Sequence, residues 1–146
     1  MVTHYIHRGL AKKNFKENTL SAFKYSFKKK YGIETDLQVT KDNQLICFHD
    51  LNLRRKFNLN KSVKDINYSS LKKISKKRKA TVPLLKDLLK ISKNRYPLLL
   101  EIKPLLTKLS LLSLIKLMKK TKKYGIFSFK EKNLINLYKL NKKLPL

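Results

Sequence analysis

Apolar and polar side chains alternate strictly over residues 33–39. Ile33, Thr35, Leu37 and Val39 fall on one face, and Glu34, Asp36 and Gln38 on the other. That period of two is the signature of a β-strand. Leu45-Ile46-Cys47-Phe48-His49 forms a second apolar run, and Lys41-Asp42-Asn43-Gln44 between the two is a turn signal. The pair is therefore expected as a hairpin or as adjacent strands. Residues 97–103 stay apolar up to Glu101, as in a strand covered on both faces within a parallel sheet. Tyr5-Ile6-His7 and residues 125–129 are shorter strand-like runs.

Between these runs the period changes. Leu20, Ala22, Phe23 and Phe27 share one helical face, with Asn18 or Thr19 placed to cap the helix. Lys28-Lys29-Lys30 suits the negative end of its dipole, and Gly32 reads as its stop. Helices are also expected from about residue 84 to Ser92, over residues 108–120 and over residues 133–142. Residues 52–79 are polar and basic, and their apolar positions read as short pieces rather than as a core.

Alternating strands and helices imply a parallel sheet with crossover helices. An eightfold α/β barrel takes about 250 residues, roughly 31 per unit, and this chain has 146. The expected fold class is α/β: a partial (β/α)8 TIM barrel of about four to five units, one domain over residues 1–146, incomplete on its C-terminal side. An open barrel exposes strand edges, and the run Leu98-Leu99-Leu100 is expected to be incompletely covered. Exposed apolar patches drive association, so self-association is one route to covering the open barrel.

Charge adds a second constraint. There are 36 Lys and Arg against 9 Asp and Glu, a formal net charge of +27. Such a field attracts anions: phosphorylated substrates, anionic lipid or nucleic acid. The lysines are spread through every segment, with no Arg-rich stripe or aromatic-interleaved basic motif. No specific nucleic-acid site is expected, only binding that salt weakens. The start of the chain lacks a basic region followed by an apolar run. Residues 97–118 are interrupted by Glu101, Lys103, Lys108 and Lys116, whereas a membrane span needs about 20 clean residues. A soluble, cytoplasmic chain without a transmembrane segment is expected. The single Cys47 excludes an internal disulfide framework.

In so basic a chain the few acids stand out. Glu34 and Asp36 lie two apart on one strand face, and Glu101 sits at another strand end. Carboxylates so placed can grip one cation, and oxygen ligands favour Mg²⁺ or Ca²⁺ over zinc. His7 and His49 close two strand-like runs beside Arg8 and Asp50, where barrel active sites form. Two such histidines suit general acid–base work.

Taken in order, these pieces become specific. His7-Arg8-Gly9, Glu17-Asn18-Thr19-Leu20-Ser21-Ala22-Phe23, Glu34-Thr35-Asp36 through Asp42, and His49-Asp50 together resemble the glycerophosphodiester phosphodiesterase family. Leu53-Arg54-Arg55, the run from Val82-Pro83 to Leu88-Leu89, Leu100-Glu101-Ile102-Lys103 and Ser128-Phe129 are similar to its later motifs. The resemblance implies an eightfold barrel, a divalent metal (Mg²⁺ or Ca²⁺), and hydrolysis of small-molecule glycerophosphodiesters to sn-glycerol 3-phosphate and an alcohol, in glycerophospholipid breakdown. It implies Glu34, Asp36 and Glu101 as metal carboxylates, His7 and His49 as the catalytic acid–base pair, and Arg8 and Lys103 as phosphate-binding cations. Lys16 stands where the family commonly has Pro, and residues 56–60 depart from its usual Thr/Gly pattern. An inactive fragment of such an enzyme, and a basic non-enzymatic module binding phosphate, lipid or nucleic acid, are the alternatives.

Overall fold

The computed structural model describes residues 4–11 and 16–146. In chain order it holds β1 (Tyr5–His7), α1 (Leu20–Lys28), β2 (Gly32–Val39), β3 (Leu45–Cys47), α2 (Arg54–Phe57), α3 (Tyr68–Lys77), α4 (Leu85–Ser92), β4 (Leu98–Ile102), α5 (Lys108–Met118), β5 (Tyr124–Phe127) and α6 (Glu131–Leu140). A 3₁₀ turn, Val63–Asp65, precedes α3. The Thr19 side chain accepts from the Ala22 N–H and caps α1, so of the two expected caps Thr19 is the one used.

β1, β2, β4 and β5 lie side by side in that order, all parallel. With the helices between them they make four β/α units, the lower end of the sequence expectation. β3 is an antiparallel hairpin arm on β2. Because β4 pairs with residues 33–37 on one side of β2, β1 and β3 must share the other side. β1 takes the first half of that edge, ending at His7 opposite Glu34. β3 takes the second, pairing Cys47 with Leu37. The Arg8 N–H donates to the Glu34 carbonyl and the Phe48 N–H to the Asp36 carbonyl, each at 2.9 Å. Two chain ends running in opposite directions thus converge on the same three residues of β2.

The main core lies between the sheet and the helices. Ile33 and Leu37 of β2 and Leu98, Leu100 and Ile102 of β4 pack with Phe23, Phe27, Leu85, Leu88, Leu111, Leu114 and Leu137. Burying each such side chain stabilises the fold by roughly 1.5–3 kcal/mol. Only Leu99 of the run 98–100 is partly exposed. The expected incomplete cover of that run is thereby confined to Leu99: β4 is pleated, so Leu98 and Leu100 both face the helix layer. Residues 52–79 also depart from expectation. Leu53, Phe57, Val63, Ile66 and Leu71 join Ile46, Phe48, Ala80, Val82 and Leu84 in a second buried cluster beneath the hairpin. Its apolar residues arrive singly from α2, the 3₁₀ turn and α3, so no run announces them. No helix among the described residues is long and apolar enough to cross a membrane.

The turn that follows β1 depends on one glycine. Gly9 has φ +73°, and a Cβ there would stand 2.7 Å from Phe23 Cδ1 and 3.2 Å from the Ala22 backbone. Both the left-handed conformation and the close approach of α1 require the missing side chain. Gly9→Ala is expected to cost about 1–3 kcal/mol in urea unfolding. Gly125→Ala, whose Cβ would meet only the Leu99 side chain at 3.2 Å, should cost clearly less.

Candidate active site

The alternation of β2 divides its work. Ile33 and Leu37 enter the core, while Glu34 and Asp36 on the opposite face meet Glu101 from β4, which pairs directly with Asp36. One carboxylate oxygen from each of the three lies within 4.8 Å of the others. All three residues are buried, Asp36 completely. Two oxygens on opposite sides of one ion, each about 2.0–2.6 Å from it, stand about 4–5 Å apart, so this set fits a single hard cation. Asp36 Oδ1 is buried without a well-directed hydrogen bond, which leaves a lone pair for such an ion.

Cations of the chain itself surround the cluster. Lys103 Nζ is 2.7 Å from Glu101 Oε1 and 3.3 Å from Asp36 Oδ1. Arg8 Nε is 3.1 Å from Asp36 Oδ2, off the N–H axis, and Arg8 Nη1 is 3.2 Å from Glu17 Oε2. Both cations expected at a phosphate therefore face carboxylates. Burial would lower the Lys103 pKa, but the hydrogen bond from Lys103 to Glu101 and the charge of Asp36 outweigh it and hold it above the ordinary value. Burial, then the charges of Asp36 and Glu101, raises Glu34 from 4.5 to about 7 against the Arg8 N–H. Arg8 itself has φ +56°, an uncommon conformation for a side-chain-bearing residue and one that clusters at functional sites.

The two histidines sit differently. His7 is exposed, with Nε2 3.8 Å from Glu34 Oε2. His49 is one-third exposed and its Nδ1 is 2.7 Å from Asp50 Oδ1. It reaches the carboxylates only through other groups: Arg55 contacts Asp50 through Nε at 2.7 Å and Glu17 through Nη2 at 2.7 Å, and Glu17 continues to Arg8. Burial would raise Glu17, but Arg55, Lys56 and Arg8 bring it down to about 2. The motif Glu17-Asn18-Thr19 thus carries three separate jobs. Asn18 donates to Asp36 Oδ2 at 2.9 Å and accepts from Thr35 at 2.7 Å, and Thr19 caps α1. Glu17, Asn18 and Arg55 were visible in the sequence only as pieces of a motif, because nothing local signals a contact across 17 to 38 residues.

Past the C-terminal ends of β2 and β4 lies a groove of about 430 Å³ that none of the three carboxylates lines. Gln38, Leu51, Leu105, Leu106 and Leu109 line it, with Lys41 and Lys64 among its cations. Gln38 shares the site face of β2, Leu51 follows Asp50, and Leu105 follows Lys103 by two residues.

The sequence matches the Glycerophosphoryl diester phosphodiesterase family over residues 7–146. A glycerophosphodiester phosphodiesterase of Bacillus altitudinis is 34% identical over 110 residues, covering 70% of this chain and 44% of the relative. Lysophospholipase D GDPD1 of Homo sapiens is 39% identical over 69 residues, covering 47% of this chain and 22% of the relative. The glycerophosphodiester phosphodiesterase of Thermotoga maritima superposes with a TM-score of 0.81 at 26% identity, over 95% of this chain and 59% of that one. An Oleispira antarctica phosphodiesterase, solved with its product sn-glycerol-3-phosphate, superposes with a TM-score of 0.82 at 21% identity, over 96% of this chain and 62% of that one. The fold is that of the TIM-barrel phosphodiesterases, and the chain spans less than two thirds of each of these proteins.

Glu34 sets a pH dependence. The folded protein keeps its proton up to about pH 7, whereas the unfolded chain releases it near 4.5. Stability of the chelator-treated protein should fall as pH rises through that window, by up to about 3 kcal/mol, and level off above it. Urea unfolding across the window should show this slope, and Glu34→Gln should flatten it. Added Ca²⁺ or Mg²⁺ should restore the loss at the upper end.

Proposed function

The chain belongs to the glycerophosphoryl diester phosphodiesterase family, and from that footing we propose that it supplies the metal and acid–base groups of a phosphodiesterase acting on glycerophosphodiesters. Products would be sn-glycerol 3-phosphate and an alcohol, in glycerophospholipid breakdown in the cytoplasm. The observation that carries this reading is the convergence of three buried carboxylates on one point of an otherwise strongly basic chain.

In this reading Glu34, Asp36 and Glu101 hold a divalent cation, Mg²⁺ or Ca²⁺. Bound there, it would withdraw charge from phosphate oxygens and help orient the diester. With the carboxylates engaged, Lys103 and Arg8 offer their charge to the phosphate, where charge develops as the ester bond breaks. His7 and His49 serve as general base and general acid: one takes a proton from the attacking glycerol hydroxyl and the other gives one to the departing alcohol. With these roles reversed, water then opens the cyclic phosphate to sn-glycerol 3-phosphate. His49 Nδ1 stands 2.7 Å from Asp50 and His7 Nε2 3.8 Å from Glu34, so the two rings sit in different surroundings. The whole forms one domain.

The leucine-lined groove supports a second substrate reading, a diester that also carries an aliphatic chain, and the human relative is a lysophospholipase D by name. Self-association would cover the inner sheet face carrying Leu99 and Phe127. The net charge of +27 opposes it, so added salt should promote it.

The test is release of glycerol 3-phosphate from glycerophosphocholine, with Mg²⁺ or Ca²⁺ and with chelator. Activity should vanish with chelator and with Asp36→Asn. His7→Ala or His49→Ala should lower the rate by on the order of 10²–10⁴; full activity in either variant would remove that histidine from the mechanism. Sedimentation at several salt concentrations tests association: specific activity should rise with the fraction of dimer, and a fully active monomer would refute the requirement.

A further inference from the structure

Outside the carboxylate cluster, the densest set of charged contacts is the chain running from His49 through Asp50, Arg55 and Glu17 to Arg8. Arg55 and Glu17 are the members of it that the proposed mechanism does not use, and Arg55 joins Glu17 to Asp50. Its Nε and Nη2 contact Asp50 Oδ2 and Oδ1 at 2.7 and 3.2 Å, and Nη2 also reaches Glu17 Oε1 at 2.7 Å. The Arg55 side chain is 53% exposed, and a single ion pair at such a site stabilises by about 0–1 kcal/mol. A fork that engages both oxygens of one carboxylate fixes geometry more than it adds stability. Its support is rigid: Leu53 and Phe57 on either side are buried in the second core, and the Phe57 ring stacks on Phe48, the residue before His49, at 6.0 Å.

Asp50 is ionised. Burial would raise it, but hydrogen bonds from Arg55 and His49 outweigh burial and hold it below the usual range. An ionised carboxylate only accepts, so at 2.7 Å the His49 Nδ1 must carry the hydrogen. In the neutral ring Nε2 is then the free nitrogen. We propose that Arg55, braced by Glu17, is a positioning residue that fixes the Asp50 carboxylate and through it the Nδ1–H tautomer of His49, leaving Nε2 as the nitrogen that exchanges a proton with substrate. The catalytic part of this rests on the phosphodiesterase reading; the tautomer itself does not. A His tautomer set by the hydrogen bond at its other nitrogen is a general device, and a misplaced carboxylate partner leaves the wrong nitrogen protonated.

The chain has three histidines, so ¹⁵N-imidazole NMR resolves each ring without any turnover. In the full chain, His49 above its pKa should be almost entirely the Nδ1–H form. Arg55→Met should convert it to a mixture of tautomers, Glu17→Gln should do so partially, and Asp50→Asn completely, with the His4 and His7 signals unmoved. Arg55→Lys keeps a charge but loses the fork, and serves where Arg55→Met does not fold; it should show an intermediate mixture. A His49 tautomer unchanged in every Arg55 variant overturns the proposal. Choline release from glycerophosphocholine supplies the second arm. Arg55→Met should lower kcat about tenfold with little change in KM, and adding it to Asp50→Asn should cost nothing more. Additive losses would overturn the positioning role while leaving the phosphodiesterase reading intact. A tautomer shift in a chain without turnover would uphold the positioning and sink that reading instead.

Discussion

Three carboxylates buried within 4.8 Å of one another are the constraint around which the rest of the molecule is arranged. Isolated, they could not all ionise: like charges at that separation in a low-dielectric setting repel by several kcal/mol. The fold answers with Lys103 between Glu101 and Asp36, Arg8 against Asp36, and the Asn18 amide on the same carboxylate. What compensation remains incomplete shows in Glu34, which is pushed to about 7. Five of the chain's nine acids, Glu17, Glu34, Asp36, Asp50 and Glu101, lie in this one region. The other four, Asp42, Asp65, Asp87 and Glu131, are scattered singly along the chain.

Holding that cluster requires a strand that is buried on both faces for different reasons. β2 gives Ile33 and Leu37 to the apolar core and Glu34 and Asp36 to the site. Slipping its register by one residue would exchange the two sets and destroy both. Three neighbours prevent this: β1 and β3 along one edge and β4 along the other. The same pairing brings the ends of β1 and β3 to Glu34 and Asp36, so the strand that presents the carboxylates also fixes where both histidines begin.

Much of this was legible in residue order. The alternation of residues 33–39 announced the two faces of β2, and the even spacing of Leu20, Phe23 and Phe27 announced α1. The carboxylate triad followed from E-x-D plus one further strand-end acid. Less legible were features made by residues far apart in the chain. The second core draws its residues from between 46 and 84, and those from Leu53 to Leu71 come singly among polar and basic neighbours that hide any period. The bridge from Asp50 through Arg55 and Glu17 to Arg8 joins helix α2 and the segment before it to the connection between β1 and α1, and no local pattern encodes it. The cover over Leu98 and Leu100 was misjudged because an unbroken apolar run conceals which side chains point to which layer.

One small contact covers part of the sheet's last edge. The Ile126 N–H, on the last strand of the sheet, donates to the Pro145 carbonyl at 2.9 Å, and Leu144 packs against the core. That tail segment takes one backbone donor on the edge of β5 away from β4. A strand pairing with β5 at Ile126 competes with the Pro145 carbonyl for that donor. Proline also offers no N–H of its own to template a further partner. At Ile126, then, the chain's own backbone rather than solvent meets the outer edge of the parallel sheet.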